Sequence, residues 1–378
     1  MIPLTPKEVV IRMARRILGE NRVHDYLIRR GIELRHLKDA YEEHHEISER
    51  HNVADQRENG ERHANQQTLI FMADGKWMHG GLTDRLRGMT SAYKFAKEHG
   101  LDFKIFHTSP FLLQEILQPN KVDWIIDEKE LSHDSSVAKP VLLYREDFDN
   151  DSALERQLDA SHEQFHLYSC IDTVGEDFPK YFSELFKPAP LLAQELSNYD
   201  KLLGSGYTAI SFRFQNKLGD FKEFTFKELP EAGKRELLDA ALEMLETDPG
   251  TGSGMTIHGD KGSGMTIHGD KGAGMTVQGD KASEATATKC LVTADSPTFL
   301  AEVEKMPNAV TVKGKSIHID FNSSKKATDY LKAFTEFFLI SRASKAILYR
   351  NRKYKTYPSN FPKYAAMLGN VPYEIVEK

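Results

Sequence analysis

The chain has 378 residues, a formal net charge of −6 and a hydrophobic fraction of 40%. This length suits two domains with separate cores, and the ordinary charge balance excludes bulk affinity for nucleic acid. No apolar run approaches the roughly 18 residues that a membrane-spanning helix needs. The two cysteines, Cys170 and Cys290, lie in separate apolar segments, which favours reduced thiols in a cytoplasmic protein over a disulfide framework.

Residues 1–66 are charged and are predicted to form a helical amino-terminal extension. The run Thr5-Pro6-Lys7-Glu8 is a capping-box start with proline at the first helical position. The helix that follows is basic, so we expect either a solvated face of a packed helix or a peripheral contact with the inner membrane face or an anionic partner.

Residues 67–200 alternate between short apolar runs and helical stretches, which predicts a first parallel α/β domain. The expected strands are "TLIFMA", "DFKIFH", "VDWIID", "VLLYR" and "QFHLYSCI". The expected helices are "LTDRLRGMTSAYKFAKEHG", "FLLQEIL", "ALERQLDA", "YFSELF" and "PLLAQELSNYDKLL".

Residues 201–378 repeat this alternation and predict a second α/β domain. Its expected strands are "YTAISFRF", "KCLVTAD", "KAILYR" and "YEIVE", and its helices are 231–247, "PTFLAEVEKM", "ATDYLKAFTEFFLISRA" and "FPKYAAMLG". Within it, residues 252–281 are three near-identical decapeptides, "GSGMTIHGDK" twice and then "GAGMTVQGDK". Such a short, glycine-rich unit predicts a flexible surface loop.

Two metal motifs compete with this interpretation. "HEQFH", residues 162–166, matches the zinc-protease pattern, but that chemistry requires a helix and the following residues alternate as in a strand. We therefore predict a strand there. "DFDND" contains Asp147 and Asp149, which leaves open a metal-dependent nucleotide-sugar transferase, although an acidic turn explains it equally well.

Four polar clusters follow expected strands. Gly80 and Gly81 precede a helix that carries Asp84, Arg85 and Arg87, a combination that suits an anion at a helix amino terminus. Arg213 and Asp220 follow a strand of the second domain, Asp295 and Ser296 follow the next, and Ser359 and Asn360 cap a late helix. Because ligands collect at the carboxyl ends of strands in open α/β sheets, we expect a nucleotide diphosphate in a cleft between the two halves.

These motifs resemble the bacterial fucosyltransferase-like superfamily of α-1,2 and α-1,6 enzymes. Gly80-Gly81-Leu82-Thr83-Asp84-Arg85-Leu86 is similar to its "GGLGN/DxL" motif, and "SAYKFAKEHGLDFKI" continues the likeness. Ser211-Phe212-Arg213, with Gly219-Asp220-Phe221 trailing, is similar to "HxRRGDF", and Thr293-Ala294-Asp295-Ser296 is similar to "TDD". The segment from Asp329 to Gly369 is similar to the late "DxxLMSxCxxxIxxNSSFSxWAAxL" motif.

The chain departs from these patterns at three points. Thr83 replaces the third glycine, Ser211 stands where the family has histidine, and extra residues separate Arg213 from Gly219-Asp220. The resemblance implies two facing Rossmann-like domains of the GT-B type, with the GDP-sugar donor in the second domain and no cofactor or metal.

The implied reaction is an inverting, metal-independent transfer of fucose from GDP-fucose to a glycan acceptor in bacterial surface polysaccharide synthesis. The resemblance assigns the leaving diphosphate to Arg213, helped by Ser359 and Asn360, and the nucleoside to Asp295. Asp84 is expected either as the general base or as the group that orients Arg85. The alternatives are a non-catalytic nucleotide-sugar or glycan-binding protein of this fold, and a partner-recruiting module at residues 1–66.

Overall fold

The computed structural model describes residues 67–143, 150–221, 227–246, 289–321 and 324–378. The predictions for the extension at 1–66, for Asp147 and Asp149, and for the repeats at 252–281 lie outside these residues. The described residues divide into two units. The first runs to Ala189 and includes 324–327, and the second contains the remainder from Pro190. The boundary expected at 200/201 lies within a helix of the second unit, Pro190–Leu203.

The first unit contains a parallel sheet of four strands, in the order β2-β1-β5-β4. Its elements in chain order are β1 (Thr68–Ala73), α1 (Leu82–Glu98), β2 (Asp102–His107), β3 (Leu117–Pro119), β4 (Ala138–Leu142), α2 (Asn150–Glu155), β5 (Gln164–Tyr168), α3 (Phe178–Leu185) and β6 (Phe186–Pro188). Strand β1 is central and apolar at every position after Thr68. Ile70 and Met72 pack with Trp77 and Tyr168, and α1 also contacts the strand, so β1 is buried.

Two expected elements of this unit take other forms. The sequence predicts a helix over "FLLQEIL", but only Leu113–Glu115 makes a 3₁₀ turn, and the chain then enters β3, which pairs antiparallel with β6. The sequence predicts a strand over "VDWIID", but among the described residues the only pairing of this stretch is an isolated bridge from Ile125 to Ile105. There the Trp124 indole is buried and donates to Leu185 O at 2.8 Å, so a tertiary contact decides the local backbone.

The second unit contains a parallel sheet of five strands, in the order β11-β10-β7-β8-β9. Its elements are α4 (Pro190–Leu203), β7 (Thr208–Phe212), α5 (Glu231–Glu246), β8 (Cys290–Ala294), α6 (Pro297–Val303), β9 (Ala309–Val310), α7 (Leu331–Ile340), β10 (Lys345–Arg350), α8 (Asn360–Leu368) and β11 (Tyr373–Glu377). The single long helix expected over "ATDYLKAFTEFFLISRA" is a 3₁₀ turn at Ala327–Asp329 followed by the shorter α7.

The core of the second unit follows the alternation of the strands. Ile210, Phe212, Val292 and Ala294 belong to one cluster together with Phe299, Leu237 and other side chains of α5 and α6. The intervening residues Ser211 and Thr293 point to the opposite face, because successive side chains of a strand alternate. The resulting framework is an apolar layer on one face and polar side chains near the strand ends on the other.

The two cysteines, Cys170 and Cys290, are free thiols, as expected. None of the helices in the described residues has the length and the apolar composition of a membrane-spanning segment.

Candidate functional site

The order of the strands in the second unit locates a crevice. From β7 the chain proceeds to β8 and β9 on one side, and it later places β10 and β11 on the other side. The direction of winding therefore reverses between β7 and β10. In open parallel sheets, ligands bind at such a reversal, beyond the carboxyl ends of the two strands. Here those ends lead into the loops that begin at Arg213 and at Asn351.

Arg213 is held at this edge by Asp295, which follows the neighbouring strand β8. Its Nη1 lies 2.9 Å from Asp295 Oδ2, and the same carboxylate accepts hydrogen bonds from the backbone N–H groups of Phe214 at 2.8 Å and Gln215 at 2.7 Å. The guanidinium carbon also lies 5.1 Å from the centre of the Phe221 ring. Asp295 thus fixes both the guanidinium and the loop that carries it.

The exposure of the two side chains differs. Arg213 keeps 20% of its side-chain surface accessible, whereas Asp295 keeps 6%. Asp295 holds Nη1 of the guanidinium, and part of the Arg213 side chain stays accessible. The arrangement therefore suits a fixed cation at the edge of the crevice, where an anionic ligand can approach it.

Asp220 and Ser296 lie together at the start of α6. Ser296 donates from Oγ to Asp220 Oδ2 at 2.6 Å, and its Oγ accepts from Phe299 N at 3.1 Å as the N-cap of the helix. Asp220 also accepts from Thr298 N at 2.9 Å. The structure thus brings these two predicted binding residues together as a helix cap, in which a carboxylate at the positive end is favourable.

Ser211 occupies the position at which the resembling family has histidine. Its Oγ lies 2.9 Å from Thr293 Oγ1 on the neighbouring strand, and both residues are buried. The hydroxyl pair links β7 to β8 immediately below Arg213 and Asp295. This position therefore contributes to the support of the site.

Ser359 caps the amino terminus of α8. Its Oγ accepts from Phe361 N at 3.1 Å, and Pro362 has no N–H to offer. Among the first helical residues, the exposed Asn360 keeps its backbone N–H directed out of the helix. The hydroxyl hydrogen of Ser359 and this N–H are the donors that the helix terminus can direct to an anion.

A buried ion pair on α7 was not anticipated from the sequence. Lys332 donates from Nζ to the carboxylate of Glu336 and to Val312 O at 2.9 Å, and only 3% and 9% of the two side chains are accessible. Burial raises the pKa of the Glu336 carboxyl, the Lys332 charge opposes this rise, and the Asp295 carboxylate adds to it. The sequence pattern that could have predicted this pair is a lysine and a glutamate four residues apart in an otherwise apolar helix.

Lys217, in the loop beyond β7, was also missed as a candidate. It is buried, and this burial lowers the pKa of its ammonium group.

In the first unit, Gly80, Gly81 and Asp84 build the start of α1. Gly80 has a φ of +84°, and a Cβ there would lie 2.5 Å from Asp84 Oδ2, so only glycine fits. Gly81 N donates to Asp84 Oδ2 at 3.1 Å, and Arg87 donates to Asp84 Oδ1. The carboxylate of Asp84 is therefore engaged by its own helix on both oxygens.

Arg85 and Arg87 are both buried within the first unit. Arg87 Nη1 also lies 3.5 Å from Asp172. Arg85 Nη1 lies 3.3 Å from His107 Nε2 and 3.4 Å from Ser109 O. Burial, followed by the charge of Arg85, lowers the pKa of His107 to about 3, so its neutral imidazole accepts from Arg85 through Nε2 and donates from Nδ1 to Phe111 O at 3.0 Å.

The predicted strand at "HEQFH" is confirmed by β5, which begins at Gln164. His166 is fully buried within it, whereas His162 precedes it and binds Asp159 Oδ1 through Nδ1 at 2.6 Å. No group of three or more His, Cys, Asp and Glu side chains in the described ranges is arranged to hold a metal ion.

Comparison with known proteins finds similarity to solved structures. No protein-family model matches the sequence, and no curated protein matches it either. Fucosyltransferase NodZ from Bradyrhizobium, in its selenomethionine form, has a TM-score of 0.48 at 15% identity, over 83% of this chain and 95% of that chain. A point mutant of FUT1 from Arabidopsis thaliana, in complex with GDP, has a TM-score of 0.48 at 11% identity, over 91% of this chain and 78% of that chain.

A third solved structure, POFUT1 in complex with GDP, has a TM-score of 0.40 at 9% identity, over 82% of this chain and 98% of that chain.

Proposed function

We propose that this protein is a glycosyltransferase that transfers fucose from GDP-fucose to a glycan acceptor of a bacterial surface polysaccharide. The observation that carries the proposal is Arg213, held by Asp295 at the strand reversal of the second unit with part of its side chain accessible. The sequence motifs around these residues support the choice of donor.

In the proposed reaction, the acceptor hydroxyl attacks the anomeric carbon and releases its proton to water, while the bond from that carbon to the diphosphate oxygen breaks with inversion and GDP leaves. Negative charge then grows on the departing GDP, and Arg213 stabilises it. Stabilisation of developing charge by fixed donors is usually the largest catalytic contribution, and it requires no metal ion where cationic donors are in place. The Ser359 hydroxyl and the Asn360 backbone N–H are proposed to assist at the helix terminus.

The partners of the other candidate residues refine their proposed roles. Asp295 is proposed to position Arg213 and its loop, because both its oxygens are already engaged there. Asp220 and Ser296 are proposed to shape the start of α6 beside the site. In the first unit, Asp84 and Arg87 are proposed to hold the glycine turn, and Arg85 to anchor β2 through His107.

The test is the substitution Arg213→Ala, assayed for transfer from GDP-fucose to a panel of glycans with a chelator present. We expect turnover to fall by more than about 100-fold, because a fixed donor to the leaving group is removed. Arg213→Lys, which keeps the charge but not the planar fork, should retain part of the activity. Arg342→Ala is the matched control, since that arginine pairs with Asp200 elsewhere on the same unit.

Near-normal turnover of Arg213→Ala would refute the proposed role, and loss of wild-type transfer in chelator would favour a metal-dependent enzyme.

A second candidate function is nucleotide-sugar binding without transfer. It is favoured by Ser211, which pairs with Thr293 at the position where the family has histidine. GDP-fucose would then raise the melting temperature, because a ligand of the native state stabilises it, but no GDP would be released with any acceptor or with water.

A further inference from the structure

The loop that follows β10 borders the crevice on the β10 side, as the loop that carries Arg213 borders it on the β7 side. We call residues 351–359 the β10 loop. Asn351 N donates to Thr356 Oγ1 at 2.6 Å, Thr356 N donates to Asn351 O at 2.9 Å, and Tyr354 N donates to Asn351 Oδ1 at 3.0 Å. Asn351 and Thr356 are both buried. The loop is therefore held in one shape from within.

Three cations project from the β10 loop, and their surroundings differ. Arg352 pairs with Glu377, and Lys353 pairs with Glu236. Lys355 is exposed, and across the described ranges of the chain it forms no ion pair. Lys355 is thus the cation of this loop that remains available to a ligand.

The backbone of Lys355 is in the left-handed region, with a φ of 51°. Glycine or asparagine adopts this conformation at lower cost than lysine. The rest of the loop imposes it, including the hydrogen bond from Lys355 N to Arg352 O at 3.2 Å. A turn of this kind favours glycine, and this chain has a lysine there.

The register of the sheet places the β10 loop beside Arg213. Strands β7 and β10 are paired in parallel with Leu348 opposite Ser211, and continuation of that register sets Arg350 opposite Arg213. Adjacent strands lie about 4.8 Å apart. The two loops therefore leave the sheet as neighbours, one on each side of the strand reversal.

Charge balance at the site calls for a second cation. Arg213 is paired with Asp295, so the pair is neutral before any ligand arrives. A nucleoside diphosphate carries several negative charges, and ligand anions are usually matched by more than one cationic or N–H donor. Resting on the function proposed above, we propose that Lys355 is the second cation that binds the diphosphate of the nucleotide sugar, from the β10 side of the crevice.

The experiment compares GDP and GMP binding by calorimetry, without divalent ions, for the wild type and for variants of the full chain. Lys355→Gln should weaken GDP binding by about tenfold, the size of a lost charge-assisted hydrogen bond. The same substitution should weaken GMP binding much less, because GMP lacks the second phosphate. Lys355→Arg should restore GDP binding, and Lys353→Gln, the neighbouring paired lysine, should leave it unchanged.

Lys355→Gly adds a readout that separates binding from folding. Glycine relieves the left-handed backbone, so the melting temperature should rise or hold while GDP affinity falls. The proposal is overturned if Lys355→Gln binds GDP as the wild type does, or if Lys353→Gln loses as much affinity. Equal losses for GDP and GMP would also overturn it.

Arg213→Ala, measured in parallel, separates this proposal from the proposed function. If Arg213→Ala no longer binds GDP while Lys355→Gln binds it as the wild type does, the proposed role of Lys355 is wrong and the proposed function stands. If the wild type binds no GDP, both fail.

Discussion

Gln215 combines a left-handed backbone with a fully buried side chain. Its φ is 62°, its relative exposure is 0%, and neither its Nε2 nor its Oε1 has a hydrogen-bond partner among the described residues. Its backbone N–H, in contrast, is bound by Asp295. A buried amide without partners opposes folding, so this residue weakens the loop that carries Arg213.

We expect Gln215→Met to stabilise the protein by about 1 kcal/mol, since an apolar side chain of similar volume replaces the two unpaired polar atoms. Thermal unfolding measures this as a raised melting temperature. The control is Gln67→Met, which removes an amide that donates to Asp159 O at 2.7 Å and His162 O at 2.8 Å. That variant should unfold at lower temperature, and a similar decrease for Gln215→Met would contradict the expectation.

The roles of single residues were only partly predictable. Arg213 at a strand end and Ser359 at a helix start could be chosen from local pattern, because those positions follow from the elements themselves. The partner of Arg213 lies 82 residues further along the chain, and no local pattern reveals that pairing. The same holds for Arg85, whose contact with His107 depends on the pairing of β1 with β2.

At the scale of elements, α7 shows how a polar pair is built into an apolar helix. Phe334, Phe337, Leu339 and Ile340 are buried, and so are Lys332 and Glu336. Transfer of two charges from water costs free energy that their mutual attraction and hydrogen bonds must offset. The pair is therefore sensitive to removal of one member and tolerant of replacement of both.

Lys332→Met should destabilise the protein by about 3–5 kcal/mol, because it leaves the buried carboxylate of Glu336 without its partner. The double substitution Lys332→Met with Glu336→Leu should recover most of that loss. Urea unfolding measures both. Lys305→Met is the surface control, since Lys305 and Glu302 form an exposed pair with 69% and 40% of their side chains accessible. Equal losses for the single and double variants would contradict this account.

The predictions for whole elements differ in outcome. The helical pattern of α1 extends over 17 residues and β1 is a continuous apolar run after Thr68, so both elements could be identified from the sequence. "FLLQEIL" is too short for its pattern to decide, and pairing of β3 with β6 overrides its helical propensity.

At the scale of the whole molecule, we expect a fall in pH to destabilise the sheet of the first unit before the sheet of the second unit. His107 in β2 and His166 in β5 are buried, and burial is the main cause that lowers the pKa of each to about 3 from an ordinary value of 6.5. Both stay neutral when folded but bind a proton in the unfolded chain below pH 6.5. The stability they confer is complete above that pH and is lost progressively toward about pH 3.

At about pH 5, each of these histidines should lower the free energy of unfolding by about 2 kcal/mol relative to about pH 7. The estimate follows because pH 5 lies about 1.5 units below the ordinary histidine pKa, and each unit corresponds to about 1.4 kcal/mol. Hydrogen exchange should show β1 and β5 losing more protection than β7 and β10 between these pH values. His166→Gln should flatten this dependence for the first unit. An equal loss of protection in both sheets would contradict the assignment.

Local sequence pattern was enough to establish that the chain forms two α/β units, that their central strands are buried, and that polar clusters follow the strands. Hydrophobic period and capping residues act over a few neighbouring positions, so they can be recognised without the fold. The tertiary structure was needed to establish that β10 lies beside β7, that Asp295 holds Arg213, and that Lys332 and Glu336 meet in the interior. These pairings depend on which distant segments pack together, and that is set by the burial and hydrogen bonding of the whole sheet.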